Sequence, residues 1–282
     1  MRVRRILLTV ALTLSAVLAA WAFWLEPASL RVETYAIELE RLPNSCDGLQ
    51  VALLADLHVG SPFNGTANLE RVVRRTQEAD PDLILLLGDY VIHGVVGGHF
   101  VSPEPTAQIL SELAAPLGVY AVLGNHDWWL DALRVRAALE SQGILVLEDQ
   151  AVPVEASACG LWLAGVGDFW EGEHDVDRAL AEVPDGVPVI VYTHNPDIFP
   201  DVPKRVTLTV AGHTHGGQVR LPILGRPMIP SDFGQRYAAG HVREGGRDLF
   251  VSTGIGTSML PVRFRVPPVV TILVLESGQA QQ

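Results

Sequence analysis

The chain has 282 residues, is 48% hydrophobic and carries a formal net charge of −12, which is enough apolar material for a sizeable core and too acidic for a basic nucleic-acid stripe. Nineteen of its twenty basic residues are arginine, Lys204 being the exception, and no nucleic-acid partner is expected. Cys46 and Cys159 lack CxxC spacing, which excludes a metal knuckle; two buried thiols are the expected state, with a disulfide as the alternative for a domain outside the cytoplasm.

Arg2, Arg4 and Arg5 precede a run from Ile6 to Leu25 that contains no charge. At ~1.5 Å per residue, about twenty residues cross a bilayer core of ~30 Å. Trp21, Phe23 and Trp24 suit an interfacial aromatic belt, and the arginines mark the cytoplasmic end, which places the rest of the chain outside. A secreted protein, cleaved at Ala20-Trp21-Ala22, is the alternative. The apolar continuation to Leu25 favours an uncleaved, single-pass anchor over 1–28.

Beyond it, 31–40 alternates imperfectly as an edge strand. The runs 51–55, 83–87, 119–123, 187–192 and 206–211 are short, apolar and rich in Val, Leu and Ile, the pattern of strands buried on both faces. Leu69, Val72, Val73 and Thr76 have helical spacing, as do Ile109, Leu110 and Leu113, and a further helix is expected over 131–141 before Gly143. Strands are then expected at 145–147, from Val152 to Glu155, and at 161–164, 219–221, 249–251 and 269–275. The β-α-β alternation followed by strand-rich sequence predicts a layered α/β fold with two packed sheets, one domain over 29–276 and a disordered tail over 277–282.

The polar chemistry sits at the ends of these strands. Val51-Ala-Leu-Leu-Ala leads into Asp56-Leu-His58, Leu83-Ile-Leu-Leu-Leu into Gly88-Asp89, and Val122-Leu into Gly124-Asn125-His126-Asp127; His194 follows Val189-Ile-Val-Tyr-Thr, and Gly212-His213-Thr-His215 follows another apolar run. Open α/β sheets gather ligands at the carboxyl ends of strands, so these tips are expected to converge. A single histidine at a strand end is ordinarily a hydrogen-bonded surface or core group; five or six together are not. Carboxylate, imidazole and carboxamide are all ligands for divalent transition ions.

The ordered blocks DxH, GD, GNHD, H and GHTHGG resemble the calcineurin-like metallophosphoesterases. The stretch from Gly212 to Pro222, with Thr193-His-Asn-Pro-Asp197 and Ser252-Thr-Gly-Ile-Gly-Thr257, resembles the bacterial membrane-anchored or exported phosphodiesterase branch, related to UDP-2,3-diacylglucosamine pyrophosphatases. The resemblance implies a four-layer αββα sandwich, with two mixed β-sheets flanked by helices, and two divalent metal ions. It implies that Asp56, His58 and His215 bind one ion, that Asn125, His194 and His213 bind the other, and that Asp89 bridges them. Such a pair clamps phosphoryl oxygens and lowers the pKa of a shared water. His126 is then the non-ligating acid, with Asp127 orienting it.

An imidazole-rich, thiol-free set suits Mn, Fe or Zn better than Mg or Ca. The expected substrate is a phosphodiester or pyrophosphate on a small molecule or lipid, hydrolysed by a monomer. An exported phosphomonoesterase or a metal-binding module without turnover are the alternatives. Between Gln218 and Arg265, seven arginines face three acids; Arg220 and Arg263, beside glycine-rich turns, are the candidates for holding a second phosphate. Trp128, Trp129 and the loop 95–101 are equally compatible with packing and with contact to an acyl chain. His93, His99, His174 and His241 fall outside the pattern and are expected at the surface or behind the ligands.

Overall fold

In the computed structural model, which describes residues 2–154 and 159–278, the uncharged run forms α1 (Arg2–Ala20), continued by a π-helical turn over Trp21–Leu25. Together they are long and apolar enough to cross a membrane, and none of their central side chains is buried in the protein. Along the chain follow β1 (Arg31–Leu39), β2 (Leu49–Leu54), α2 (Thr66–Gln77), β3 (Leu83–Leu86), α3 (Pro103–Leu110), β4 (Val119–Ala121), α4 (Asn125–Ser141), β5 (Leu145–Val146) and β6 (Gln150–Pro153). The second half adds β7 (Trp162–Val166), α5 (Val176–Leu180), β8 (Val189–Thr193), β9 (Leu208–Ala211), β10 (Gly240–Glu244), β11 (Arg247–Val251) and β12 (Val269–Ser277).

The strands make two six-stranded sheets, ordered β1-β12-β2-β3-β4-β5 and β10-β11-β9-β8-β7-β6. Both are mixed. β2 to β5 run parallel while β12 opposes β2; β7, β8, β9 and β11 run parallel while β6 and β10 oppose their neighbours. Because strand side chains alternate between faces, Val51, Leu53, Leu83 and Leu85 point inward against Ile190, Tyr192, Leu208 and Val210 of the other sheet. Ala52, Leu54, Ile84 and Leu86 point outward against Leu69, Val72 and Val73 of α2, Leu110 of α3 and Leu139 of α4. Val189 and Val191 meet Val176 and Leu180 of α5 on the far face of the second sheet. The layers are helix, sheet, sheet, helix, and each fully buried Leu, Ile or Val contributes roughly 1.5–3 kcal/mol of transfer free energy.

The pairing register sets up the site. Leu54 lies level with Leu86, and Leu86 with Ala121, so the polar tips after β2, β3 and β4 leave the sheet side by side. Tyr192 lies level with Val210, which aligns the tips after β8 and β9 in the same way.

Several expectations need correction. Cys46 and Cys159 form a disulfide, with Cα atoms 5.4 Å apart; their separation of 113 positions gave no clue that the β1–β2 and β6–β7 connections meet beside the core between the sheets. The strand expected at 219–221 is reduced to isolated bridges, Val219 with Phe264 and Leu221 with Gly225, because the chain turns back on itself within four residues. The helix after the GNHD block begins at Asn125 and is broken at Asp131, where the backbone is extended. β10 was hidden because His241 and Arg243 make it look like a polar turn. Ser277 ends β12 opposite Leu39 and does not begin the tail. Glu155, at the end of an expected strand, and 279–282 lie outside the described residues.

Candidate metal centre

Asp56, His58, Asp89, His213 and His215 all have positive φ, of 52°, 39°, 58°, 67° and 50°. For non-glycine residues the left-handed region costs of order 1–3 kcal/mol each, and such strain persists where the surroundings over-determine it. Here it turns side chains leaving parallel strands back toward one point. Gly88 lets β3 pass so close to the next tip that a Cβ on it would lie 2.5 Å from Gly124 N.

Asp89 is at the centre. Its Oδ1 accepts the His126 backbone N–H at 2.9 Å, which leaves Oδ2 facing His58 Nε2 and His194 Nε2, each 3.4 Å away. On one side, the ligand atoms of Asp56, His58, Asp89 and His215 lie within 4.8 Å of one another, all buried. On the other, His194 Nε2 is 3.2 Å from Asn125 Oδ1 and 3.0 Å from His213 Nδ1, and His213 Nδ1 is 3.1 Å from Asn125 Oδ1. All seven expected ligands therefore come together.

Tautomers decide whether this set fits cations. His58 Nδ1 lies 3.1 Å from Val91 O, and His194 Nδ1 2.7 Å from Leu87 O. A carbonyl only accepts, so both Nδ1 atoms carry the proton and, in the neutral rings, both Nε2 atoms present lone pairs. His58 Nε2 then faces His215 Nε2 at 3.0 Å, while Asp56 Oδ2 is buried without a hydrogen-bond partner among the described residues. The Nε2 lone pairs of His58 and His194 turned toward Asp89 Oδ2, and that of His194 toward Asn125 Oδ1, are costly in a buried site on their own, and divalent ions held between them would offset that cost.

The electrostatics agree. Burial pushes Asp56 up to about 7 and pulls His58 down to about 3. Burial alone would also lower His194, but the Asp89 carboxylate raises it to about 10. A pair of dications favours ionised carboxylates and neutral imidazoles together, which removes this conflict.

The centre opens into a cavity of about 300 Å³ whose wall includes His93, His126, Trp129, Trp170, Met228 and Met259. The His126 ring packs 4.6 Å from His58 and 4.7 Å from Trp129. Asp127 does not orient it as expected. The Asp127 carboxylate instead accepts backbone N–H groups of Asp89, Tyr90 and Gly124 at 2.8, 2.9 and 2.9 Å, which fixes the Asp89 turn and the start of α4. Trp128 packs against the core, whereas Trp129 is 48% exposed at the cavity.

Neither candidate arginine lines this cavity. Arg263 is fully buried and donates to the carbonyls of Thr253, Gly256 and Val266, holding the turn behind Asp56 instead of a phosphate. Arg220 lines a separate basic cavity. Residues that sequence reasoning missed include Trp170, whose ring stands 4.3 Å from His213, His93, whose ring packs 5.6 Å from His126, and Gly254. A Cβ at Gly254, where φ is +66°, would lie 2.5 Å from Asp56 Oδ2; the Ser252-Thr-Gly-Ile-Gly-Thr257 run was the available signal.

Comparison with known proteins agrees with this centre. Residues 49–217 match the family model described as calcineurin-like phosphoesterase. An uncharacterized metallophosphoesterase of Aquifex aeolicus is 33% identical over 262 residues, 89% of this chain and 94% of that protein. Phosphodiesterase YaeI of Escherichia coli is 34% identical over 232 residues, covering 80% and 82%. UDP-2,3-diacylglucosamine pyrophosphatase LpxG of Chlamydia trachomatis is 26% identical over 253 residues, covering 72% and 74%. With the match spanning the strands that deliver every ligand candidate, the chain belongs to the calcineurin-like phosphoesterases, hydrolases that use two divalent metals.

Proposed function

We propose that the protein hydrolyses a phosphodiester or pyrophosphate bond in a substrate that carries apolar groups, such as a UDP-2,3-diacylglucosamine-like lipid intermediate. Asp56, His58, Asp89 and His215 would hold one divalent ion, and Asp89, Asn125, His194 and His213 the other, with Mn, Fe or Zn suited to the imidazole-rich set. When bound, the ions neutralise phosphoryl oxygens and lower the pKa of water near neutrality. The observation that carries this reading is the single oxygen, Asp89 Oδ2, placed 3.4 Å from an imidazole of each half.

The remaining steps belong to the chain's own side chains. Asp89, fixed through its Oδ1 by the His126 N–H, keeps the two halves in register. His126 faces the cavity outside the ligand set, and its imidazole donates a proton to the leaving oxygen as the ester bond breaks. Asp127 is a positioning residue that acts through the backbone of Asp89. Among the described residues, the cavity wall contains no lysine or arginine. A monoester dianion gains from such cations, whereas a diester monoanion with apolar substituents suits Trp129, Trp170, Met228 and Met259. The names of YaeI and LpxG point the same way.

The helix over Arg2–Leu25 acts as an uncleaved anchor, with the metal centre on the extracytoplasmic side; the disulfide Cys46–Cys159 suits that oxidising location. The test is turnover by metal-loaded protein on bis(p-nitrophenyl) phosphate and p-nitrophenyl phosphate. Diester turnover should dominate, and His126→Ala should keep its metal while losing ~10²–10⁴ in rate. Faster monoester turnover would replace the reading with a phosphomonoesterase, and no turnover with two ions bound would replace it with a metal-binding module.

A further inference from the structure

The foot of the apolar helix is tied to a set of loops. Arg263 N–H donates to Ala22 O at 2.9 Å, and the Glu26 carboxylate accepts from Val266 N–H. Phe264 N–H donates to Gln218 O, and Arg220 N–H to Phe264 O, both at 2.8 Å. The chain then enters a turn closed by reciprocal Leu221–Gly225 bonds of 2.7 and 3.1 Å, with Ile223 and Leu224 at its tip. The Gln218 side chain accepts from Ser258 N–H at 2.7 Å and donates to Leu260 O at 3.3 Å. Val96 N–H in turn donates to Met259 O at 2.9 Å. Three loops thus form one platform around the helix foot.

The tips of this platform are apolar and uncovered. Ile223 is 106% exposed and Leu224 71%; Val96, Met228, Met259 and Leu260 are exposed as well. Isolated exposed apolar side chains are ordinary, but a set of them carried on adjoining loops marks an interaction surface. Beside them lies a cavity of about 360 Å³ lined by Arg31, Arg220, Arg226 and Arg265, with Glu33 as the one carboxylate in its wall among the described residues. Arg31 and Arg265 also line the recess against Leu18 and Trp21 of the helix. In a chain of net charge −12, this is a local basic surface at the place where an anchor would meet the headgroups.

We infer that this platform docks on an anionic bilayer, with Ile223 and Leu224 inserted into the acyl boundary and the arginines among the phosphates. The arrangement follows from continuity with the helix and from charge: arginines favour anionic headgroups, and apolar tips favour the layer beneath. Met228 and Met259 belong to the same loops and line the metal cavity, so docking brings the cavity mouth to the lipid surface. The inference rests on the anchor reading above and goes beyond it, since an anchor on its own leaves the catalytic layers free to hold any orientation.

The test uses the full chain in nanodiscs containing phosphatidylcholine and phosphatidylglycerol. A nitroxide is attached through Ile223→Cys, or through Asp185→Cys as control, the native cysteines being paired with each other. Asp185 precedes β8, whose opposite end delivers His194. Collision rates with oxygen and with a water-soluble nickel chelate report depth. At 223 the chelate should collide about tenfold less than at 185, because hydrocarbon excludes it. In discs of phosphatidylcholine alone that protection should fall about threefold, as the arginines lose their anionic partners. Equal chelate access at both positions, with the intact chain retained in the disc, overturns the docking. Protection unchanged by removal of the anionic lipid overturns the role given to the arginines. An intact-mass measurement showing a chain processed after Ala22 overturns the anchor reading itself, which separates the two failures.

Discussion

The Asp127 carboxylate holds the Asp89 backbone N–H at 2.8 Å through the same oxygen that accepts Gly124 N–H at 2.9 Å. One buried carboxylate thus joins the turn after β3 to the start of α4. Its other oxygen accepts Tyr90 N–H at 2.9 Å. Asp127→Asn keeps the shape but turns an NH2 group toward backbone donors. Hydrogen bonds to a charged group are worth about 1.5–3 kcal/mol each, so the variant should lose roughly 3 kcal/mol and bind metal more weakly. Thermal unfolding and metal titration check this; wild-type values for both would remove Asp127 from the account.

The Cys46–Cys159 bond closes a separation of 113 positions. Chain-entropy arguments give about 4.7 kcal/mol for a loop of ~100 residues, less whatever structure the reduced unfolded chain retains. Urea unfolding with and without reductant should show a lower midpoint for the reduced protein, while metal binding below the transition is preserved because neither cysteine lies near the centre.

Asp248 on β11 accepts His241 Nε2 and Arg243 Nε, each at 2.8 Å. Burial by itself would raise its pKa, but these hydrogen bonds more than offset it and hold the carboxyl below its usual range. A depressed carboxylate stabilises the fold above its unfolded pKa, and that contribution is lost as pH falls through the lower folded value. Asp248→Asn should therefore cost of order 1 kcal/mol at neutral pH, since Arg243 is half exposed and screened. The difference from wild type should close in acid, below the folded pKa. A gap that persists or widens there would contradict the assignment.

Much of the architecture was legible because each part had a local cause. Leu69, Val72, Val73 and Thr76, read as one helical face, are the buried residues of α2, and the apolar runs at 51–55 and 83–87 became strands covered on both faces. The clustering of the candidate ligands was legible because unusual residue types recur at strand ends. What escaped depends on long-range placement. Arg263 reads as a guanidinium free to hold a phosphate yet is enclosed, because four backbone carbonyls surround it in a turn that no pattern announces. Asp127 sits next to His126 in sequence, but its carboxylate points the other way, to the turn after β3. Gly254 and Trp170 entered the site through loops whose position only the folded sheets define. The disulfide, where two buried thiols were expected, was missed because spacing in sequence carries no information about distance across two layers.

The central claim is that Asp89 Oδ2 serves both halves of the centre. The most direct measurement is metal content by elemental mass spectrometry on wild type and Asp89→Asn, with diester turnover recorded on the same samples. The account predicts two divalent ions per wild-type chain, and for the variant a loss of metal together with turnover, with circular dichroism showing the fold retained. Two ions still bound to a folded Asp89→Asn variant, or one ion in a fully active wild type, would contradict it.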